Sequence, residues 1–171
     1  MIYIVGLVAV VLGVALDQYT KYLAATQIKE QPIILVDGVL EFRYLENRGA
    51  AFGMLQNQQW FFLFITAITL CMIVYIYIKL PQEKHFTPLR ICMITLTVGA
   101  IGNMIDRISL QYVVDFIYFK LIDFPIFNVA DIFATCSTFA FIVLFLFFYS
   151  EEDFDMIFSY MMPKRKRKEE Q

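Results

Sequence analysis

Long blocks of apolar residues, separated by shorter polar stretches, dominate the chain. The uncharged blocks cover residues 1–16, 60–78, 91–105 and 132–150. A helix needs ~20 mostly apolar residues to cross the hydrocarbon core of a bilayer. The second and fourth blocks have about this length, and the first and third reach it when the polar residues up to Lys21 and Arg107 are included. The pattern predicts an all-α membrane protein with four transmembrane helices.

Two longer connections, residues 28–59 and 108–128, have patterns of their own. In the first, an Asp37-Gly38 pair lies between β-prone runs, and alternating apolar and charged residues follow it, which predicts a β-hairpin with one half-buried face. The second connection is aromatic and β-prone, which favours a loop in the membrane interface. Residues 1–150 therefore form one predicted membrane unit, and residues 151–171 form an amphipathic and basic tail.

Composition agrees with a membrane protein and excludes other classes. Hydrophobic residues make up 60% of the 171 residues, against ~45–50% in soluble domains. The net charge of −2 implies no nucleic-acid partner. The first block has neither a basic n-region nor an A-x-A-like site, so we expect it to be retained rather than cleaved. The three cysteines lie inside apolar blocks without paired spacing and predict neither disulfides nor a metal site.

Positive charges predict the orientation of the helices. With four spans, both termini lie on the same side as the short loop 79–90, and this side carries eight basic residues, three in the loop and five in the run 164–168. Cytoplasmic loops are rich in Lys and Arg. Both termini are therefore predicted to be cytoplasmic, and the two longer connections to be extracytoplasmic.

This topology brings the polar residues of the spans to one depth. Asp17 and Lys21 lie at the outer end of the first span, Asn103 and Arg107 at the outer end of the third, and Asp131 at the outer start of the fourth. Asp17/Lys21 and Asn103/Arg107 are i,i+4 pairs, each on one helix face. The cytoplasmic halves of the spans have no such cluster.

Two carboxylates stand out as candidates for chemistry. Asp115 and Asp131 lie in almost wholly apolar surroundings, where ionisable residues are functional candidates by default. The single histidine, His85, lies in the cytoplasmic loop, which excludes a His-based triad or metal site at the outer face. Two carboxylates that share an apolar site cannot both ionise, so together they provide an acid and a base, as in aspartic proteases.

Simpler roles remain open for most of these residues. Asp131 could be a helix N-cap or a first-turn residue that matches the helix dipole, and Asn47 and Asn128 could be turn and cap residues. The i,i+4 pairs could only orient helices, and Asp106 could face solvent or a neighbouring backbone. Asp37 is predicted in a turn, and Asp123 as a solvated loop charge.

Two other functional classes compete with an enzyme. A proton- or ion-coupled transporter also uses buried carboxylates, but the apolar cytoplasmic halves of the spans disfavour a transport path. A non-enzymatic assembly subunit would explain the hydrophobic surface, but not polar motifs that converge at one depth.

Five motifs together resemble one family, the bacterial lipoprotein signal peptidases, also called signal peptidase II. They are LDQYTK (16–21), NRGAAFG (47–53), GAIGNMIDR (99–107), VVDF (113–116) and FNVADIF (127–133). Their order and spacing match, and the resemblance extends from Asp17 to about Phe133. One departure is Val98, where the family often has the first glycine of a Gly-Gly pair.

The resemblance implies a membrane aspartic endopeptidase. Such an enzyme cleaves diacylglyceryl-modified prolipoproteins before the lipidated cysteine, at the extracytoplasmic leaflet of the bacterial inner or plasma membrane. It implies no metal or organic cofactor, and inhibition by globomycin. We also expect contact with membrane lipids and action as a monomer. By motif position, Asp115 and Asp131 are the catalytic residues. Site-lining residues follow from the other motifs (Asn47, Gly49, Asn103, Arg107 and Asn128), with Gly53 shaping the outer loop and Asp17 and Lys21 supporting the site.

Overall fold

A computed structural model of the protein describes residues 2–49 and 58–161. In this part of the chain, four helices are long and apolar enough to cross a membrane, which confirms the predicted spans. They are α1 (Ile2–Gln27), α2 (Gln59–Lys79), α3 (Thr87–Ser109, after a 3₁₀ turn at Lys84–Phe86) and α4 (Val129–Phe147). α1 continues past its apolar block, so Asp17 and Lys21 belong to the helix itself.

Helix α3 lies at the centre of the bundle, and α1, α2 and α4 pack around it. Two glycines allow close contact at the end of α3 that leads into the sheet. A Cβ atom on Gly99 would lie 2.5 Å from the carbonyl oxygen of Ala130, and one on Gly102 would lie 2.5 Å from Oδ2 of Asp17. Larger residues at these positions would therefore separate α3 from α4 and α1.

Val98, the departure from the family pattern, is accommodated by a glycine on the neighbouring helix. Val98 is buried, and a Cβ atom on Gly13 of α1 would lie 2.7 Å from Cγ2 of Val98. The missing side chain of Gly13 thus provides the space that Val98 occupies.

A three-stranded antiparallel sheet covers one end of the bundle, which we call the sheet end. Its strands are β1 (Ile33–Val36), β2 (Leu40–Asn47) and β3 (Val113–Phe119), in the order β1-β2-β3. The predicted hairpin is confirmed, and its turn contains Asp37 as expected, with Gly38 at a φ of +69° that favours glycine. The second connection is more than an interfacial loop, because it supplies β3.

The expected alternation along β2 is wrong at Glu41. This residue was predicted on the exposed face, but its side chain is buried and lies 3.3 Å from Nζ of Lys120, just after β3. The β2–β3 register also shifts between Phe42 and Leu45. An ion pair and a shifted register therefore break the simple two-residue period.

The opposite end of the bundle, which we call the terminus end, is held by apolar packing. After α4, residues Glu151–Met161 form a further helix, α5. Its Ile157 joins Leu80, Phe86 and Tyr149 in a buried cluster. The predicted basic run 164–168 lies outside the described residues.

Candidate active site

Asp115 lies in the most deeply buried part of the sheet. Four consecutive residues of β3, from Val113 to Phe116, are buried, and Asp115 itself is 1% exposed. Its Oδ1 accepts a hydrogen bond from Nδ2 of Asn128 at 2.7 Å, and its Oδ2 accepts one from Nδ2 of Asn47 at 2.8 Å. Both carboxyl oxygens therefore have a side-chain amide donor.

Asp131 belongs to the first turn of α4, where it forms a capping box with Asn128. Oδ1 of Asn128 accepts a hydrogen bond from the Asp131 backbone N–H at 2.9 Å, and Oδ2 of Asp131 accepts one from the Asn128 N–H at 3.1 Å. The other carboxyl oxygen of Asp131 accepts a bond from Nδ2 of Asn103 at 2.7 Å. The cap interpretation was therefore right for Asn128, and the cap also fixes Asp131 in place.

The orientation of the Asn128 and Asn47 side-chain amides follows from the hydrogen bond that each amide oxygen accepts. Because Oδ1 of Asn128 is occupied by the helix cap, its Nδ2 must face Asp115. Oδ1 of Asn47 accepts the backbone N–H of Gly49 at 3.0 Å, so Nδ2 of Asn47 also faces Asp115. Asn128 thus bridges the two aspartates, since its backbone N–H contacts Asp131 and its side chain contacts Asp115.

A buried charge network, made of Asp17, Lys21 and Asp106, lies behind the aspartates. Nζ of Lys21 is 2.9 Å from Asp17 and 3.1 Å from Asp106, and it donates a hydrogen bond to Oδ1 of Asn103 at 2.9 Å. Asp17 also accepts the backbone N–H of Ala130 at 2.8 Å, so α1 helps to cap α4. The Asp17/Lys21 pair predicted from spacing is present and orients neighbouring elements.

Asp106 and Gln18 were missed as parts of this network. Asp106 is 3% exposed, which excludes the solvent interpretation, and it accepts the backbone N–H of Val114 at 3.0 Å, as the alternative expected. Nε2 of Gln18 donates to Asp106 at 2.9 Å. The signal available in the sequence was the position of both residues beside the motif residues that converge at one depth.

Arg107 and Asn103 do not pair through their side chains. The Arg107 guanidinium lies 4.8 Å from the ring centroid of Phe62 on α2, and it contacts Asn103 only through a long bond of 3.4 Å to the backbone carbonyl. Asn103 instead contacts Asp131 and Lys21. The two residues of this i,i+4 pair therefore act on different partners.

A cavity of about 940 Å³ opens beside the aspartates at the sheet end. Asp115, Asp131 and Arg107 line it, as do Asn47 and Gly49, while Leu45, Phe124 and Phe127 provide an apolar wall. Asn128 is fully buried and Asn103 is not part of the cavity wall, so both support the carboxylates from behind rather than lining the site. Gly53 lies outside the described residues.

The environment of Asp115 favours its protonated form. Burial raises the pKa of Asp115 to about 7, and the negative charge of Asp131 adds to this rise, while the bonds from Asn47 and Asn128 oppose it. A carboxyl group with a pKa near 7 exchanges protons readily at neutral pH. The cavity therefore offers an acid that can donate a proton beside a second carboxylate that can accept one.

Together, the membrane-length helices and this cavity define a multi-pass membrane protein equipped for general acid–base chemistry. Residues 9–148 match the family model described as signal peptidase (SPase) II. The chain belongs to the signal peptidase II family and is a hydrolase of that type. This confirms the resemblance seen in the five motifs, and membership in an enzyme family decides against the transporter and assembly-subunit alternatives.

Relatives and solved structures agree with this assignment. Lipoprotein signal peptidase of Clostridium tetani is 39% identical over 154 residues, covering 87% of this chain and 95% of the relative. The enzyme of the same name from Caldanaerobacter subterraneus subsp. tengcongensis is 47% identical over 132 residues, covering 75% and 86%. A bacterial membrane enzyme structure determined in meso at 2.3 Å resolution superposes with a TM-score of 0.76 at 34% identity, covering 83% of this chain and 87% of that one.

Proposed function

We propose that this protein removes signal peptides from diacylglyceryl-modified prolipoproteins by cleaving before the lipidated cysteine. The observation that carries the proposal is the bridge made by Asn128, which holds Asp115 and Asp131 at one cavity. Family membership and the name shared by the relatives support the same reaction. In this proposal Asp115 and Asp131 are the catalytic residues of an aspartic endopeptidase.

The reaction begins with a water molecule between the two carboxyl groups. Asp131 is the base, because it lies in the first turn of a helix, where negative charge is stabilised, whereas Asp115 lies on a strand. It takes a proton from the water as the oxygen attacks the scissile carbonyl carbon. Asp115 is the acid, and its proton goes to the carbonyl oxygen.

Collapse of the tetrahedral gem-diol breaks the carbon–nitrogen bond. The proton held by Asp131 passes to the leaving amine, and one hydroxyl of the intermediate returns its proton to Asp115, which restores the starting state of both carboxyl groups. The reaction leaves a new carboxylate on the released signal peptide, next to residues that already carry negative charge. Arg107 lines the same cavity, and its guanidinium is turned toward Phe62 rather than paired with Asp131. We assign to Arg107 the stabilisation of the negative charge that develops on the substrate.

The remaining motif residues position this machinery. Asn47, Asn103 and Asn128 orient the carboxyl groups, and Gly49 fixes the amide of Asn47. Asp17 and Lys21 support α4 and Asn103. The chemistry uses protein side chains and water alone, with no metal or organic cofactor. We also propose that the protein acts as a monomer and that residues 1–150 of one chain form the site. Residues 151–171 are then a cytoplasmic tail.

Recognition of the substrate should depend on its lipid. The apolar wall of the cavity includes Leu45, Phe124 and Phe127, and burial of an acyl chain contributes ~0.8 kcal/mol per CH₂. The test is to incubate the purified full-length protein with one precursor in lipidated and unlipidated forms, and to identify the products by mass spectrometry. Cleavage before the lipidated cysteine, blocked by globomycin, is expected. Equal turnover of both forms would contradict a role for the lipid, and dependence on a metal, revealed by chelators, would contradict the mechanism.

We further propose that the sheet end faces the outside of the bacterial inner or plasma membrane, so that the site lies at the extracytoplasmic leaflet. The eight basic residues in loop 79–90 and in the run 164–168 support this orientation. Cysteine labelling of intact cells with an impermeant reagent tests it, with one cysteine placed at position 37 and another after position 171. Label at position 37 alone is expected, and label at the C-terminus alone would reverse the topology.

A further inference from the structure

A second cavity, of about 600 Å³, lies at the terminus end of the bundle, between α1 and α2 on the surface of α3. Its walls include Leu7 and Val10 of α1, Val74 of α2, and Ile94 and Ile101 of α3. Within the described residues, α2 has its main contacts with α3 and α5 rather than with α1. The cavity is the space that this arrangement leaves between α1 and α2.

The dimensions of the cavity match one leaflet of a bilayer. Along α3 its lining runs from Met93 to Ile101, which is about 12 Å at 1.5 Å per residue. Half of a hydrocarbon core is about 15 Å thick. The cavity therefore runs parallel to the helices through most of one leaflet.

Its walls suit an apolar ligand. The Thr97 hydroxyl is already bonded to the Met93 carbonyl at 2.7 Å, and none of the described residues that line the cavity is charged. Leu7, Val74 and Ile78 are 65%, 50% and 56% exposed, so the cavity opens sideways onto the lipid-facing surface of the helices. Whatever fills it enters from the hydrocarbon phase.

Apart from the Thr97 hydroxyl, the polar groups that border the cavity lie at the rim nearest the termini. The Tyr3 hydroxyl donates to the Ile78 carbonyl and accepts from Nε2 of Gln82. The Tyr77 ring lies 5.3 Å from the buried Arg90 guanidinium, and Lys79 follows at the exposed end of α2. Tyrosines and a lysine at this depth are typical anchors at a membrane–water interface. The rim therefore suits the polar end of a lipid, and the interior suits its chain.

We propose that this cavity binds one acyl chain of a bilayer phospholipid from the leaflet at the terminus end. The chain lies between α1 and α2, and the glycerol and headgroup lie near Tyr3 and Lys79. This site is distinct from the aspartate cavity, because no described residue lines both, and its nearest lining residue on α3, Ile101, precedes Arg107 by six residues, about 9 Å along the helix. The proposal does not depend on the proposed peptidase mechanism.

Photo-crosslinking tests the site directly. The purified full-length protein is placed in phosphatidylcholine nanodiscs that contain a small share of phosphatidylglycerol with a diazirine on one acyl chain, and labelled residues are mapped by mass spectrometry. We expect labelling at Val10, Val74 and Ile94 that excess unmodified phosphatidylglycerol reduces, because Lys79 at the rim favours an anionic headgroup over the zwitterionic phosphatidylcholine of the nanodisc. Phe139 on α4, which is 69% exposed, should be labelled without such competition. Labelling that simply follows exposure and cannot be competed would overturn the proposal.

A matched pair of substitutions sharpens the test. Val10→Trp fills the cavity, whereas Val11→Trp adds the same bulk at a neighbouring position that is 59% exposed. If the new ring displaces about two methylene groups of the chain, labelling at Val74 should fall about tenfold in Val10→Trp. It should be unchanged in Val11→Trp. Equal labelling in the two variants would contradict the proposal, and Val74→Trp with readout at Ile94 replaces Val10→Trp should the latter not fold.

Discussion

The two ends of the helical bundle are held together by different kinds of contact. At the sheet end, α1, α3 and α4 meet through ion pairs and hydrogen bonds centred on Lys21 and Asn128. At the terminus end, α2, α3 and α5 meet mainly through apolar side chains such as Leu80, Phe86 and Ile157. The buried Arg90 guanidinium adds hydrogen bonds to the Leu80 and Pro81 carbonyls. One bundle thus contains a buried polar interface and a buried apolar interface a few helical turns apart.

Stability alone does not explain the polar end. Removing charges from water is costly, and a buried ion pair is often no more stable than well-packed apolar residues of similar size. At the terminus end, the one buried charge, Arg90, donates to backbone carbonyls, and no buried ion pair occurs there among the described residues. This end shows that the chain can join helices without a network of paired charges. Lys21 instead fixes the orientation of Asn103, which contacts Asp131, and Asp17 holds the first turn of α4 through the Ala130 N–H. The comparison therefore separates residues that serve the site from residues that serve the fold.

The largest expected effect of substitution lies at the aspartates. Asp115→Asn and Asp131→Asn keep the size of the side chain but remove the ability to exchange a proton, so each should lower cleavage about 10²–10⁴-fold. Gel-shift cleavage of a lipidated precursor by folded, purified variants measures this. Asp123→Asn is the control, because asparagine tolerates its φ of +48° and can still accept the Tyr118 hydroxyl bond. Substantial turnover by either aspartate variant would remove that residue from the catalytic pair.

A smaller but still large effect is expected at the buried lysine. Lys21→Met leaves Asp17 and Asp106 without their cation, which should destabilise the protein by about 3–5 kcal/mol and reduce activity through the loss of the Asn103 contact. Lys29→Met is the matched control, since Lys29 is exposed, lies 3.7 Å from Glu46, and should cost about 1 kcal/mol or less. Thermal unfolding in detergent compares them. Similar losses in the two variants would show that the network is not a special feature of the sheet end.

The pH dependence of cleavage and of stability should reflect the titration of Asp115, which lies at the sheet end. Because the pKa of Asp115 is about 7, kcat/KM for cleavage should fall about tenfold per unit as pH rises above this value and the acid loses its proton. The free energy of unfolding should also fall as pH rises. The unfolded chain releases the Asp115 proton near pH 4, whereas the folded protein releases it only near pH 7, so stability is lost between these two values. Unfolding measured between pH 4 and 8 should show a weaker loss in Asp115→Asn. A loss of equal size in that variant would assign the effect to other groups.

The smallest effect is expected at the terminus end. His85 lies 3.0 Å from Asp153 and is partly exposed, so the pair is screened by solvent. His85→Gln should lower thermal stability less than Lys21→Met does and leave cleavage of the lipidated precursor unchanged. A large loss of activity with normal folding would show that the terminus end takes part in function, and the contrast between the two ends would fail.

The sequence predicted the elements of the site better than their contacts. Block length identified four helices, and the Asp37-Gly38 turn identified the hairpin, because both depend on local patterns. The contact of Asp17 with the Ala130 N–H joins residues 113 positions apart, and no local pattern encodes it. For the same reason, Asp106 was left between two interpretations, although it belongs to the buried network.

Contacts with residues distant in the sequence also explain the remaining differences between the predictions and the structure. Glu41 is buried because Lys120 approaches it from another connection, which alternation within β2 cannot reveal. Val98 fits because Gly13 lies opposite it on α1. In contrast, the capping role of Asn128 was predictable, since it requires only residues three positions apart. What could not be predicted was that the same side chain also contacts Asp115.

The central claim is that Asp115 and Asp131 act as one catalytic unit, and the double variant tests it most directly. Single-turnover cleavage of the lipidated precursor is measured for Asp115→Asn, for Asp131→Asn and for the two combined, with the released signal peptide quantified by mass spectrometry. Residues of one catalytic unit have strongly non-additive effects. We therefore predict that the double variant is only slightly slower than either single variant. Losses that multiply would contradict the claim and show that the two carboxylates act independently.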